Sequence, residues 1–265
     1  MIERSAVASL LRSSQAYAQQ ICERETGRFG IAFFSERFGL LPEACQLREV
    51  VIEREQDIPE AYRECESLFA AHGLTCLRWA PAGGTASDAI TAFLSKQRFE
   101  PREMCVMMLS RWPEPVQAPE LRILPVRAMR RAFGDALRQA AARQHPGRLD
   151  QYVEAFEERL DDPHLDMSIA MLDGRPVATA GLYEVGDIAR VIGLHHLPGL
   201  EPQRILPGLI FHVLNLARRL SMRMIVAQID ARDPDCRRLF EELGFVEQGR
   251  IIEFERITSD ANQPQ

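Results

Sequence analysis

Lysine is almost missing from this chain: of 32 basic residues among 265, Lys96 is the only lysine and the rest are arginine. A GC-rich codon usage accounts for that bias. No apolar run approaches the roughly 18 residues that a membrane helix needs, which excludes a helical membrane protein. The first 20 residues, MIERSAVASLLRSSQAYAQQ, scatter acid and arginine where a secretory signal would carry an unbroken apolar core, so no export signal is read there. Positive charge is also in deficit. A net charge of −6 gives no basic footprint for nucleic acid. Cys22, Cys45, Cys65, Cys76, Cys105 and Cys236 form no CxxC pair, and His195-His196 is the only adjacent histidine pair. No metal framework is therefore expected, and the cysteines read as reduced core thiols of a cytoplasmic protein.

What is present is an ordinary globular composition, 46% hydrophobic and 26% charged, over a length that suits one or two domains. Trp112-Pro113-Glu114-Pro115-Val116-Gln117-Ala118-Pro119 cannot continue a helix or a central strand, because proline lacks the amide donor. The expected organisation is a domain at 1–112, a proline-rich linker at 113–119, a second domain at 120–257 and a polar tail at 258–265.

The second domain reads element by element. Leu121 to Val126 is a short strand. Met129, Phe133, Ala136, Leu137 and Ala140 stripe a helix, and Tyr152, Phe156 and Leu160 stripe another. Apolar runs flank Asp173-Gly174, a hairpin signal. Ile188 to Leu197 is a strand, and a long striped helix is expected to begin near Leu206. Met222 to Ile229 is a strand. Asp233-Pro234 reads as an N-cap followed by a first-position proline, Gly244 as the helix stop, and Phe245 to Arg256 as the last strands. The class is mixed α/β.

The first half carries a shadow of the second. Residues 58–80 align without gaps on 206–228, each as proline, striped helix, turn and apolar strand. AFLSKQRF at 92–99 matches RLFEELGF at 238–245. Helix–strand–helix–strand thus occurs twice, which predicts an internal duplication.

From Ile188 to Phe245 the chain resembles the GNAT superfamily of acyl-CoA-dependent N-acetyltransferases. The residues that carry the resemblance are the apolar strand, Pro198, Gln203-Arg204-Ile205-Leu206-Pro207-Gly208 opening a helix, and Asp233 through Phe240 closing on Leu243-Gly244-Phe245. The resemblance implies two GNAT-like lobes with mixed, mainly antiparallel sheets, the N-terminal lobe degenerate and truncated. It implies acetyl-CoA as co-substrate and a small-molecule or peptide amine as acceptor, with homodimerisation left open. A CoA pyrophosphate would sit at the helix start, contacted by Gln203, Arg204, Ile205, Gly208 and Leu209. Leu194 and His196 would line the thioester, and Asp233, Cys236 and Phe240 the CoA arm. Glu184, Asp187, His195 and His196 are the candidate bases, and strand alternation lets only one of the two histidines face the cleft. Three positions depart from the family pattern. Leu206 stands for a glycine, Pro207 has no N–H, and Phe240 replaces the tyrosine that reprotonates the thiolate. The alternative reading is a catalytically inactive GNAT-fold protein that binds a small molecule or partner in the former cleft. The N-terminal copy carries Glu60 where Gly208 sits in the second, so no CoA is expected there.

Overall fold

The structure, a computed structural model, describes residues 5–116, 118 and 121–257. Gln117, Pro119 and Glu120 of the expected linker, and the tail at 258–265, lie outside the described residues. The elements are α1 (Ala6–Gln19), β1 (Glu23–Thr26), β2 (Ile31–Phe34), β3 (Cys45–Val50), α2 (Ile58–Ala71), β4 (Arg78–Pro81), α3 (Asp88–Lys96), β5 (Phe99–Leu109), β6 (Arg122–Pro125), α4 (Arg130–Ala141), α5 (Leu149–Arg159), β7 (Leu165–Leu172), β8 (Arg175–Val185), β9 (Ile188–His196), α6 (Pro202–Arg219), β10 (Met224–Asp230), α7 (Pro234–Glu242) and β11 (Phe245–Arg256). The class is mixed α/β, as expected. Among the described residues no helix is long and apolar enough to cross a membrane.

Packing gathers the chain into two compact units. The first contains residues up to 17 together with 105–249; the second contains 18–104 together with residues from 250 on. These units do not divide at 113–119. The physical reason lies in two long strands. β5 and β11 have 11 and 12 residues, enough for one strand to serve two cores. The end of β5 therefore belongs to the first unit, and the end of β11 to the second.

In the first unit the strand order is β11-β5-β10-β9-β8-β7-β6. β6, β7, β8 and β9 pair antiparallel, and β10 joins β9 in parallel. The hairpin between β7 and β8 turns at Asp173 (φ 50°) and Gly174 (φ 75°). Two residues with positive φ make the twist-matched turn that short hairpins need. One face of this sheet, through Ala180, Leu182, Ala189, Val191, Ile225, Ala227 and Ile229, packs with Leu209, Ile210, Val213, Leu214 and Ala217 of α6. Each buried leucine, isoleucine or valine among them contributes about 1.5–3 kcal/mol. Helices α4 and α5 are held together by Phe133 and Phe156, whose ring centroids lie 6.2 Å apart edge to face.

The second unit has the order β1-β2-β3-β4-β11-β5. β3 and β4 are parallel, and Phe254 of β11 pairs with Trp79 of β4. Phe34, Leu47, Phe69, Trp79, Leu94, Phe99 and Phe254 form its core.

One expected boundary moves. The long helix opens at Pro202, one turn before Leu206, so Pro207 lies inside it. By contrast, Pro59 opens α2, and Pro234 opens α7 behind Asp233, whose Oδ1 accepts from the Cys236 amide at 2.9 Å.

Candidate functional site

Parallel pairing of β9 with β10 runs from Ile188–Met224 to Val191–Ala227 and goes no further. β9 continues to His196 and β10 to Asp230. Beyond the last pair the two strands part, and their facing backbone groups leave the ladder. On its other side β9 carries an extra residue. Gly181 faces Ile192 while Thr179 faces His195, so three steps on β9 oppose two on β8. Gly193, at φ 61°, takes the bulged conformation that a side chain resists. A Cβ there would also strike Met167 at 2.6 Å. Thr179 Oγ1 donates to the Gly193 carbonyl at 2.9 Å and pins the bulge.

A cavity of about 620 Å³ opens at this end of β9. Its walls are Leu194, His195 and His196 of the strand, Pro198 and Gly199 of the loop, Pro202, Gln203, Leu206 and Pro207 of α6, and the inner side of α7. Arg143 and Gln144, from the turn between α4 and α5, close it. A second cavity of about 510 Å³ continues around the start of α6, sharing Gly199, Gln203 and Pro207 with the first.

Both histidines reach the larger cavity, against the expectation that only one would. Regular alternation presupposes a regular ladder, and here the bulge precedes both and β10 has already parted. Their surroundings differ. His195 Nε2 lies 3.0 Å from the Tyr152 hydroxyl, and the Tyr152 ring stacks on His145 at 3.8 Å. Burial first, then the neighbouring His145 and His196, push the His195 pKa down to about 4, so it is neutral at pH 7. His196 Nδ1 lies 3.2 Å from the Leu197 carbonyl. A carbonyl can only accept, so Nδ1 is the donor of this bond, and in the neutral ring that leaves the lone pair on Nε2.

Gln203 also lines the cavity. Pro202 has no N–H, and the Arg204 amide bonds the Glu201 carbonyl at 3.1 Å. Pro207 withholds the donor that the Gln203 carbonyl would otherwise meet. Gln203 thus offers its backbone N–H and its side-chain amide at the helix start.

Other expected positions fall elsewhere. Arg204 and Ile205 line the smaller cavity. Gly208 and Leu209 are buried in the core. Because the helix already runs from Pro202, the amides of Gly208 and Leu209 lie past the first turn, whose N–H groups are the open ones. A Cβ on Gly208 would lie 2.7 Å from Ala118, so this glycine admits a neighbouring segment. Asp233 and Cys236 do line the larger cavity. Asp233 spends one oxygen on its helix cap. Burial, then Asp233, push the Cys236 thiol up to about 12, which removes it as a proton donor. Phe240 is buried in the core, edge to face with Phe245 at 4.9 Å, and does not line the cavity. Glu184 pairs with Ala189 while His195 pairs with Thr179. Those five residues of β8 separate Glu184 from the histidines by roughly 17 Å. Burial, then Asp166, raise its pKa, but it does not line the cavity.

Sequence reasoning missed Gly193, Gly199, Arg143, Gln144 and Tyr152. Gly193 alone left a signal, as a glycine inside an apolar strand run. Tyr152 read as a core stripe residue, and nothing local to it announces His195.

Solved structures resemble the chain over most or all of its length. A GCN5-related N-acetyltransferase from Kribbella flavida superposes with a TM-score of 0.64 at 12% identity, covering 98% of this chain and 98% of that one. Another, from Sphaerobacter thermophilus, gives 0.58 at 14% identity, covering 96% and 92%. A functionally unknown conserved protein from Staphylococcus epidermidis gives 0.69 at 12% identity, covering 89% and 95%. At such identities the likeness is one of fold, which is GNAT-like. No protein-family model matches the chain, and no curated protein matches its sequence.

Proposed function

We propose that the protein is an acyl-CoA-dependent N-acyltransferase that uses acetyl-CoA and a small-molecule or peptide amine. One observation carries the reading: β9 and β10 part after Val191–Ala227, and the bulged end of β9 opens onto a cavity lined by His195, His196 and Gln203. Acyl transfer needs an amine nitrogen held against a thioester carbonyl, with donors for the oxyanion and an acceptor for the amine proton. Backbone amides of the bulged segment around Leu194 supply the donors. The Nε2 lone pair of His196 takes the proton as the carbon–nitrogen bond forms. The carbon–sulfur bond then breaks, and the leaving thiolate takes a proton from solvent. Gln203, at the start of α6, receives the pyrophosphate, and Arg143 adds a cation at the rim. Isothermal titration with acetyl-CoA tests the reading. One site per chain is expected, in 120–257; absence of binding overturns it. His196→Gln is expected to bind acetyl-CoA and to lose about 100-fold or more in turnover.

A second reading has its own support. Phe240 lies in the core, the Cys236 thiol is held at about 12 and His195 at about 4, so the family's usual proton donor has no replacement among these groups. A non-catalytic protein would bind acetyl-CoA yet release no free CoA thiol with any of a panel of amines.

The order α2-β4-α3-β5 repeats that of α6-β10-α7-β11, and we read this as a duplication whose first copy is structural. α2 begins Ile58-Pro59-Glu60, and the Glu60 carboxylate would oppose a phosphate there. Two acetyl-CoA per chain would refute that assignment.

A further inference from the structure

The inner face of α5 presents Tyr152, Phe156 and Arg159 in successive turns. The first two meet His195, in hydrogen bond or edge to face. Arg159 points elsewhere. Its guanidinium lies 4.1 Å from the ring centre of Tyr17 on α1, and Tyr17 in turn packs edge to face on Tyr183 of β8 at 5.1 Å. Arg159 is only 2% exposed. Its Nε and Nη2 are buried and meet no hydrogen-bond acceptor.

That arrangement is incomplete as chemistry. A guanidinium does not shed its charge in proteins, so burial without an acceptor leaves a cation desolvated. Two acids that follow it in the chain do not resolve it: Asp161 pairs with Arg130, and Asp162 turns Oδ1 to the His164 amide at 2.9 Å while its Oδ2 meets no partner. The tyrosine face offers the cation a quadrupole but leaves the in-plane N–H groups unused. Nε and Nη2 form one edge of the guanidinium, the fork that grips two oxygens of a planar acid side by side. Ser13, one helical turn before Tyr17 on α1, is fully buried with a hydroxyl that also meets no partner. A second guanidinium, Arg190, reaches Ser14 on α1 at 2.9 Å and Gln228 on β10 at 3.0 Å.

We infer that Arg159 holds the carboxylate of a small organic acid beneath α1, its two oxygens on Nε and Nη2. The site is separate from the cavity at His196, and the inference stands whether or not the protein transfers acyl groups. A planar two-oxygen anion fits the fork, whereas chloride fills one position of it.

Thermal unfolding of the full-length protein tests this, in carboxylate-free buffer titrated with sodium formate or acetate at ionic strength held constant with chloride. The melting temperature should rise with formate or acetate and level off, with no matching rise from chloride. Arg159→Met should lose the response. In carboxylate-free buffer it should melt at or above the parent temperature, because an unpaired buried cation has been removed. Arg159→Lys keeps the charge without the fork and should bind at least tenfold more weakly; it also serves if the methionine variant fails to fold. Equilibrium dialysis with labelled acetate should give about one site per chain. The inference is overturned if the parent shows no saturable response, if chloride reproduces it, or if Arg159→Met retains it. It is equally overturned if Arg159→Met melts well below the parent without carboxylate, which would make Arg159 a structural partner of Tyr17.

Discussion

His195 occupies an unusual electrostatic position, neutral and bonded to Tyr152 inside the unit that holds the candidate site. Its folded pKa of about 4 lies below the ordinary 6.5, so the unfolded chain takes up a proton first as pH falls. Stability from this residue is complete above about pH 7 and drains away between pH 6.5 and 4, by roughly 3 kcal/mol in all. Urea unfolding of the parent and of His195→Gln across that range should show the slope in the parent and a shallower one in the variant. Gly208 permits a second test at this scale. With Ala118 2.7 Å from the missing Cβ, Gly208→Ala should lower stability by about 1–3 kcal/mol through overpacking. It should leave acetyl-CoA affinity nearly unchanged, as thermal unfolding and calorimetry can verify. A pyrophosphate cradle at Gly208 would show the reverse pattern.

Among the elements, α6 and β11 carry the most informative constraints. Pro207 is the sixth residue of an 18-residue helix and removes one internal hydrogen bond. Pro207→Ala should therefore raise stability by about 1–3 kcal/mol. If Pro207 shapes the cavity wall, the same variant should weaken acetyl-CoA binding, and calorimetry separates the two effects. On β11, Glu255 lies between Arg78 at 2.6 Å and Arg102 at 2.7 Å. Although burial opposes ionisation, the two guanidiniums prevail and hold its carboxyl at about 2. The folded pKa is depressed, so its stabilisation is full above about pH 5 and is lost as pH falls through 4.3 toward 2. Glu255→Gln should cost roughly 2–4 kcal/mol at pH 7 and flatten the acid limb of the unfolding curve.

For the whole molecule, the consequence of the two units is that the chain cannot be cut at its proline-rich stretch without robbing both. A fragment of 1–112 lacks the β11 residues that pair with Trp79 and Arg78. A fragment of 113–265 lacks residues 105–109, which belong to the unit built by 105–249. Each fragment alone should show little cooperative unfolding by circular dichroism. The two mixed or co-expressed should recover it. A fragment that unfolds cooperatively on its own, with the full melting temperature, would contradict this exchange of strand ends.

The sequence by itself determined what depends on a few neighbouring residues. Asp173-Gly174 turns its hairpin, Asp233-Pro234 starts α7, Gly244 ends it, and the apolar stripes of α4, α5 and α6 place their buried faces. The mixed α/β class and the GNAT-like order of elements follow from those local signals read in series. Pro207 and Pro202 both satisfy the local rule for a first helical residue, so the sequence leaves the start of α6 ambiguous by about one turn. Only the tertiary structure decided where β9 leaves β10, that Tyr152 faces His195, that both adjacent histidines share one cavity, and that Arg159 is buried against Tyr17. It also decided which core each end of β5 and β11 completes. Turns and caps are settled by φ, ψ and hydrogen bonds within one turn of chain. Strand partners and buried charges are settled by packing between residues more than a hundred positions apart, as Arg78 and Glu255 are, and no local periodicity encodes that choice.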